Sequence, residues 1–158
     1  MSLSKAYNEN ADFEEAIEIL EELFKLDKNN FRVALLISIN SIEIDDFESA
    51  YEWGQKSMKI SRNNAESLAH MGNLYYKSMQ TCRGDNFSRS DKIVASLAHE
   101  YFVKAENKGN SKYFKQKKWL EENEVLFSYA DWFMTDKDIQ ASGKVLPRAK
   151  CYDWESES

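Results

Sequence analysis

One proline and five glycines in 158 residues leave little material for tight turns. Sandwiches and barrels with many hairpin loops depend on both residues, so an all-β fold is set aside. Only two cysteines are present, Cys82 and Cys151, and they lack metal-ligand spacing. So few thiols, with no signal-like stretch at the start, point to a reducing compartment, the cytoplasm. No apolar run approaches the roughly 18 residues of a membrane span. The most apolar stretch, 31–44, is interrupted by Arg32, Ser38, Asn40, Ser41 and Glu43 and reads as a buried helix. Phosphate binding needs an excess of Lys and Arg, whereas the net charge is -6, so nucleic acid is an unlikely partner. There is no Gly-rich phosphate loop, no Cys-X-X-Cys and no His-X-X-X-His; the only histidines, His70 and His99, have no nucleophile motif beside them. Neither an enzyme, a metal site nor a cofactor is expected.

What the chain does have is self-similarity. Asp12-Phe13-Glu14-Glu15-Ala16 is matched by Asp46-Phe47-Glu48-Ser49-Ala50, and Asn29-Asn30 by Asn63-Asn64, each 34 residues later. A fixed period of this length marks stacked helical hairpins. Asp12 and Asp46 are suited to cap a helix start, and the Glu residues after them suit the positive helix end. Ala16 and Ala50 are small where helices approach closely. The Asn pairs end one helix and can cap the next. Phe13, Ala16, Ile17, Leu20, Leu23 and Phe24 recur at helical spacing, as do Leu68, Met71, Gly72 and Tyr75.

On these residues the chain resembles the tetratricopeptide repeat family over about residues 3–109. Leu68, Met71, Gly72 and Tyr75 match the first helix of such a repeat; the segments opened by Asp12 and Asp46 match the second helix. The departures are Lys28 and Arg62 in place of a proline, Ser38 in place of a glycine, and Gly54 in place of a large residue. The resemblance implies an all-α fold: antiparallel helical hairpins stacked as a right-handed superhelix, with repeats at about 1–30, 31–64 and 65–112. The third repeat carries extra residues near 81–91, because Ala98 aligns with Ala50 at an offset of 48. A capping helix is expected over 111–135, or a degenerate fourth hairpin broken near Asn123, then a partly ordered tail over 136–158 onto which Tyr152 and Trp154 can pack. Tyr7 falls where the aromatic of a first helix belongs. Either the chain is a piece of a longer array or its first helix is short.

The resemblance implies a concave groove for a peptide or protein partner, lined by Arg32, Leu35, Ile39 and Ile42 from the second repeat and by Glu66, Ala69, Asn73, Tyr76 and Lys77 from the third. Leu35, Ile39 and Ile42 are equally readable as core. A clamp for a terminal carboxylate is disfavoured, because Leu35, Leu36, Glu66 and His70 stand where polar or basic partners would be needed. Lys104, Lys108, Lys112, Lys115, Lys117 and Lys118 form a basic patch opposite an acidic segment that includes Glu14, Glu18, Glu21 and Glu22. The patch reads first as a solvated face, second as a nucleic-acid contact; the asymmetry also favours self-association through the repeat ends. Arg83-Gly84-Asp85, an adhesion tripeptide, and Ser88 and Ser90, flanking Arg89, read as plain polar loop. The expected function is a protein-interaction scaffold or adaptor. The alternatives are a small chaperone shielding an apolar client segment, or a nucleic-acid adaptor using the Lys patch.

Overall fold

The computed structural model describes residues 3–127 and 150–154, with side chains from Asn10 to Phe127 and from Cys151 to Trp154. Among these residues the chain is wholly helical: α1 (Leu3–Leu26), α2 (Phe31–Glu43), α3 (Phe47–Ser61), α4 (Ala65–Cys82), α5 (Arg89–Asn107) and α6 (Phe114–Glu122), with a single 3-10 turn at Lys150–Tyr152. Each helix packs on the next from α1 to α5, α2 also meets α4, and α6 lies against α5.

The caps explain the boundaries. Asn30 accepts from the backbone N–H groups of Arg32 and Val33 at the start of α2, and Asn64 accepts from that of Ser67 at the start of α4. Asp46 accepts from Ser49 N–H to open α3. Each side-chain oxygen satisfies a donor that has no partner inside its helix. Arg62, at the end of α3, adopts the left-handed conformation with φ 56°. Proline cannot adopt that backbone, so a residue other than proline is required at this place.

The first repeat differs from expectation. Asp12 caps nothing, because α1 runs unbroken through it. In the second hairpin the chain reverses at Asp45, which has φ 57°. The residue 34 positions earlier is Ala11. Alanine is the best helix former and resists the left-handed region, so the helix continues where its counterpart turns.

The extra length near 81–91 goes mostly into helix. Only residues 83–88 lie between α4 and α5, and Ser88 and Asp91 close a capping box at the start of α5. Ser88 is thus a cap rather than plain loop. Arg83 is also engaged: its guanidinium lies over the Phe87 and Trp119 rings, and its Nε donates to Gln80. The capping helix is shorter than expected. It ends at Glu122, with Asn123 as its cap residue and Glu124 at φ 54°. Glu121 and Glu122 sit at the negative end of the helix, which discourages continuation. The chain instead turns to bury Val125, and Phe127 N–H donates to Ser96 Oγ at 2.6 Å. The break near Asn123 follows the alternative reading; residues 128–135 of the expected cap lie outside the described residues, as do 136–149 and 155–158 of the tail.

A seam of buried hydroxyls joins α2, α3 and α4. Ser57 donates to Phe31 C=O at 3.2 Å and lies 2.7 Å from Ser67 Oγ. Ser38 donates to Ala50 C=O at 2.5 Å and lies 2.6 Å from His70 Nε2. Ser38 has one hydrogen, spent on Ala50, so His70 must supply the proton between them.

Candidate functional site

The first helices of the second and third repeats, α2 and α4, lie side by side. Arg32 Nη1 and Glu66 Oε2 pair at 3.0 Å, two positions separated by one period of 34. This contact sets the register of the expected groove.

Of the nine residues expected to line it, Leu35, Ile42 and Ala69 are buried in the core and line no open surface. Their side chains point between helices, where apolar area is removed from water. Arg32, Ile39 and Lys77 are exposed, and Glu66 is partly so. Asn73 is half-buried, with its Oδ1 enclosed and unpartnered among the described residues. Tyr76 packs on Phe102 and edge-on to Trp119, at ring-centroid distances of 6.4 and 6.0 Å. It belongs to the contact between α4, α5 and α6 as much as to any groove.

An exposed row on α2 emerges instead: Arg32, Leu36, Ile39 and Glu43, all exposed and spaced at helical intervals. Leu36 is 45% exposed and Ile39 37%. One period later the same row on α4 holds Glu66, His70, Asn73 and Lys77. There His70 is 4% exposed, because α2 covers it through Ser38. α1 runs as one helix from Leu3 to Leu26, and the row on α2 stays exposed beside it. Leu36 was a clue in the sequence: in the equivalent position of the next repeat stands a histidine that finds a partner.

The six patch lysines are spread over the end of α5, the following turn and α6. Lys104 pairs with Glu100 at 2.9 Å, Lys117 with Glu106 at 2.7 Å, and Lys118 with Glu122 at 4.0 Å. Lys108 Nζ donates to Asn63 C=O at 2.5 Å. Lys112 and Lys115 are exposed. The neighbouring carboxylates cancel much of the charge a polyanion would meet. Lys104 and Lys108 also edge an open recess of about 360 Å³ floored by Met58, Leu68 and Tyr101.

Both histidines serve packing contacts. Burial, with a smaller contribution from the Lys112 charge, lowers the His70 pKa to about 4, so the ring is neutral. His99 Nε2 lies 3.0 Å from Glu121 Oε1 and links α5 to α6; that hydrogen bond, chiefly, holds the Glu121 carboxyl below its ordinary value. Among the described residues no group of His, Cys, Asp and Glu is arranged to hold a metal ion, and no helix is long and apolar enough to cross a membrane.

The two cysteines meet. Cys82, at the end of α4, and Cys151 are joined in a disulfide, with Cα atoms 6.1 Å apart and a sequence separation of 69. Their spacing gave no sign of this pairing. Beside it Tyr152 is buried and Trp154 packs onto α3 and α4.

Comparison with known proteins finds no matching family model, no matching curated protein and no matching solved structure.

Proposed function

We propose that the chain is a divergent tetratricopeptide-type interaction module that holds a partner protein or peptide along the exposed row of α2. The observation that carries this reading is the open row Arg32, Leu36, Ile39 and Glu43, in which Leu36 is exposed while its equivalent on α4, His70, is covered by α2. An apolar pair flanked by opposite charges suits an amphipathic helix or an extended segment with alternating side chains. The module acts passively: α2 is held by α1, α3 and α4, so the row is formed before the partner arrives. Leu36 and Ile39 supply apolar contact, and Arg32 and Glu43 set direction. The 34-residue contact between Arg32 and Glu66, and the matched caps Asn30 and Asn64, support the repeat architecture; the right-handed superhelical stacking is what the family resemblance implies. A binding role rather than catalysis is supported by the use of Ser38 and His70, whose polar atoms bond one another and the backbone between packed helices. The exposed Ile19, Leu23 and Leu26 on α1 support self-association through the repeat end. The expected cytoplasmic location rests on the small number of cysteines, and the Cys82–Cys151 disulfide weighs against it, because a reducing compartment disfavours such bonds.

The test places a photo-reactive residue at position 39 and, separately, at Glu52 on the exposed side of α3. Capture of one partner from position 39 alone, abolished by Leu36→Glu with Ile39→Glu at unchanged helical content, is the expected result. Equal capture from both positions would overturn the assignment of the row.

A further inference from the structure

Residues 151–154 fill a cleft whose walls belong to α3, α4 and α5. Tyr152, fully buried, donates its hydroxyl to Asp91 Oδ1 at 2.5 Å. Burial first, and the Asp91 carboxylate second, hold this phenol far above its ordinary pKa, so the proton stays on oxygen. Trp154 lies among Phe47 and Tyr51 of α3 and Tyr75 of α4, at centroid distances of 6.4, 5.5 and 5.8 Å. Tyr75 in turn stacks on Tyr101 of α5 at 5.6 Å.

One wall of the cleft is fixed independently of its occupant. Asp91 is anchored by the capping box, where its Oδ2 accepts from Ser88 N–H at 2.8 Å. Its other oxygen, deep in the cleft, needs a donor from outside the helices. A buried acceptor left unpaired is unfavourable, and three aromatic faces left to water add to that. The cleft therefore calls for a segment that brings a hydroxyl donor and a large aromatic ring two residues apart.

The chain's own segment meets this demand but brings one polar group that the cleft leaves unserved. The indole Nε1 of Trp154 is buried with no hydrogen-bond partner among the described residues. What holds the segment besides these contacts is the disulfide, and Cys151 is exposed while Cys82 is partly so. A soluble dithiol can reach it.

We propose that this cleft is a second binding site, for an aromatic segment of a partner protein patterned like Tyr152-Asp153-Trp154, and that the Cys82–Cys151 bond keeps it plugged by the chain's own residues until a dithiol reduces it. One thiolate of the dithiol attacks the exposed Cys151 Sγ and expels Cys82 as its thiolate. The second sulfur of the dithiol then closes on the mixed disulfide and releases Cys151. Two electrons pass to the protein, the dithiol becomes a disulfide, and its two protons end on Cys82 and Cys151. The untethered segment remains a competitor in cis, but a weaker one, since its effective concentration falls with the loss of the short covalent tie. The site uses none of the α2 row, so the two assignments stand or fall separately.

The probe is a fluorescent peptide carrying residues 150–154 with serine in place of Cys151, titrated into the full chain before and after reduction with a dithiol. Peptide binding tightened by roughly tenfold or more on reduction, with faster amide exchange at residues 150–154, is the expected outcome. Tyr152→Phe in the reduced protein should tighten it further, because the cis competitor loses its bond to Asp91. Cys151→Ser should behave as the reduced protein does; should that variant fail to fold, reduced wild type still decides the matter. Equal binding in both redox states, no binding in either, or exchange at 150–154 unchanged by reduction would each overturn the proposal and leave the disulfide as a structural staple.

Discussion

The second hairpin, α2–α3, and the third, α4–α5, fill the same place in opposite ways. In the third, Gly72 lets the Phe102 ring of α5 come so close that a Cβ at Gly72 would lie 2.5 Å from it, and 3.2 Å from Ala98 C=O. In the second, the positions equivalent to Gly72 and Phe102 hold Ser38 and Gly54. Ser38 sends its hydroxyl to Ala50 C=O, the counterpart of Ala98, and meets His70. The space that a large residue at Gly54 would take is filled by Met71 from the next repeat. An aromatic plug in one hairpin is thus replaced by a hydrogen-bonded polar group and a borrowed methionine in the other. The lesson is that a repeat conserves the volume and backbone approach of a contact, while its chemistry is free to change if every buried polar atom finds a partner.

That contrast can be broken at several points. Phe102→Ala removes the largest filler of the third hairpin and should cost about 3–5 kcal/mol in denaturant unfolding. A loss below about 1 kcal/mol would mean that Phe102 is not the plug. Acid should act where Ser38 of the second hairpin meets His70 of the third. Because the folded pKa of His70 lies near 4, below its ordinary 6.5, folding favours the neutral ring. The stability this adds is complete above about pH 6.5, drains as the pH falls through the window, and is gone below the folded value. The loss is on the order of 3 kcal/mol at the acid end. Stability measured from pH 7 to pH 4 should fall more steeply for wild type than for His70→Gln, and parallel curves would remove His70 from the account.

The two glycines separate the hairpins further. Gly72→Ala drives a methyl into a rigid ring and should cost about 1–3 kcal/mol. Gly54→Ala clashes with Met71 Sδ on a flexible side chain, touches Ser38 Oγ at an ordinary 3.4 Å, and gains up to about 1 kcal/mol of helix propensity, so its net effect should be within about 1 kcal/mol of zero. Reversal of that order in thermal unfolding would show that the two sites are not equivalent. The smallest effect belongs to the contact that links the repeats. Arg32 and Glu66 are largely exposed, and a double-mutant cycle should return less than about 1 kcal/mol of coupling. Coupling of several kcal/mol would mean that this pair, rather than the buried hydroxyl seam, holds α2 to α4.

The candidate site was only partly legible beforehand. The family resemblance puts Arg32, Ile39 and Lys77 on a groove surface, and all three side chains are exposed. Leu35, Ile42 and Ala69 were not separable from them, because α2 is apolar on nearly every side and spacing does not say which side a neighbour covers. Leu36, the more exposed member of the row, was set aside as a mismatch to a carboxylate clamp, yet it marks the face that stays exposed beside α1.

The sequence alone determined the helices, their period and most of their ends. Caps such as Asn30, Asp46 and Asn64, and the left-handed reversal at Asp45 with its absence at Ala11, act within one turn of chain, where near neighbours decide the outcome. Tertiary structure alone decided which apolar residues are core, that the row on α2 stays open, and that Cys151, Tyr152 and Trp154 settle against Cys82, Asp91 and Tyr75. Those contacts join residues more than sixty positions apart, and no local preference encodes a meeting that depends on how three helices already stand together.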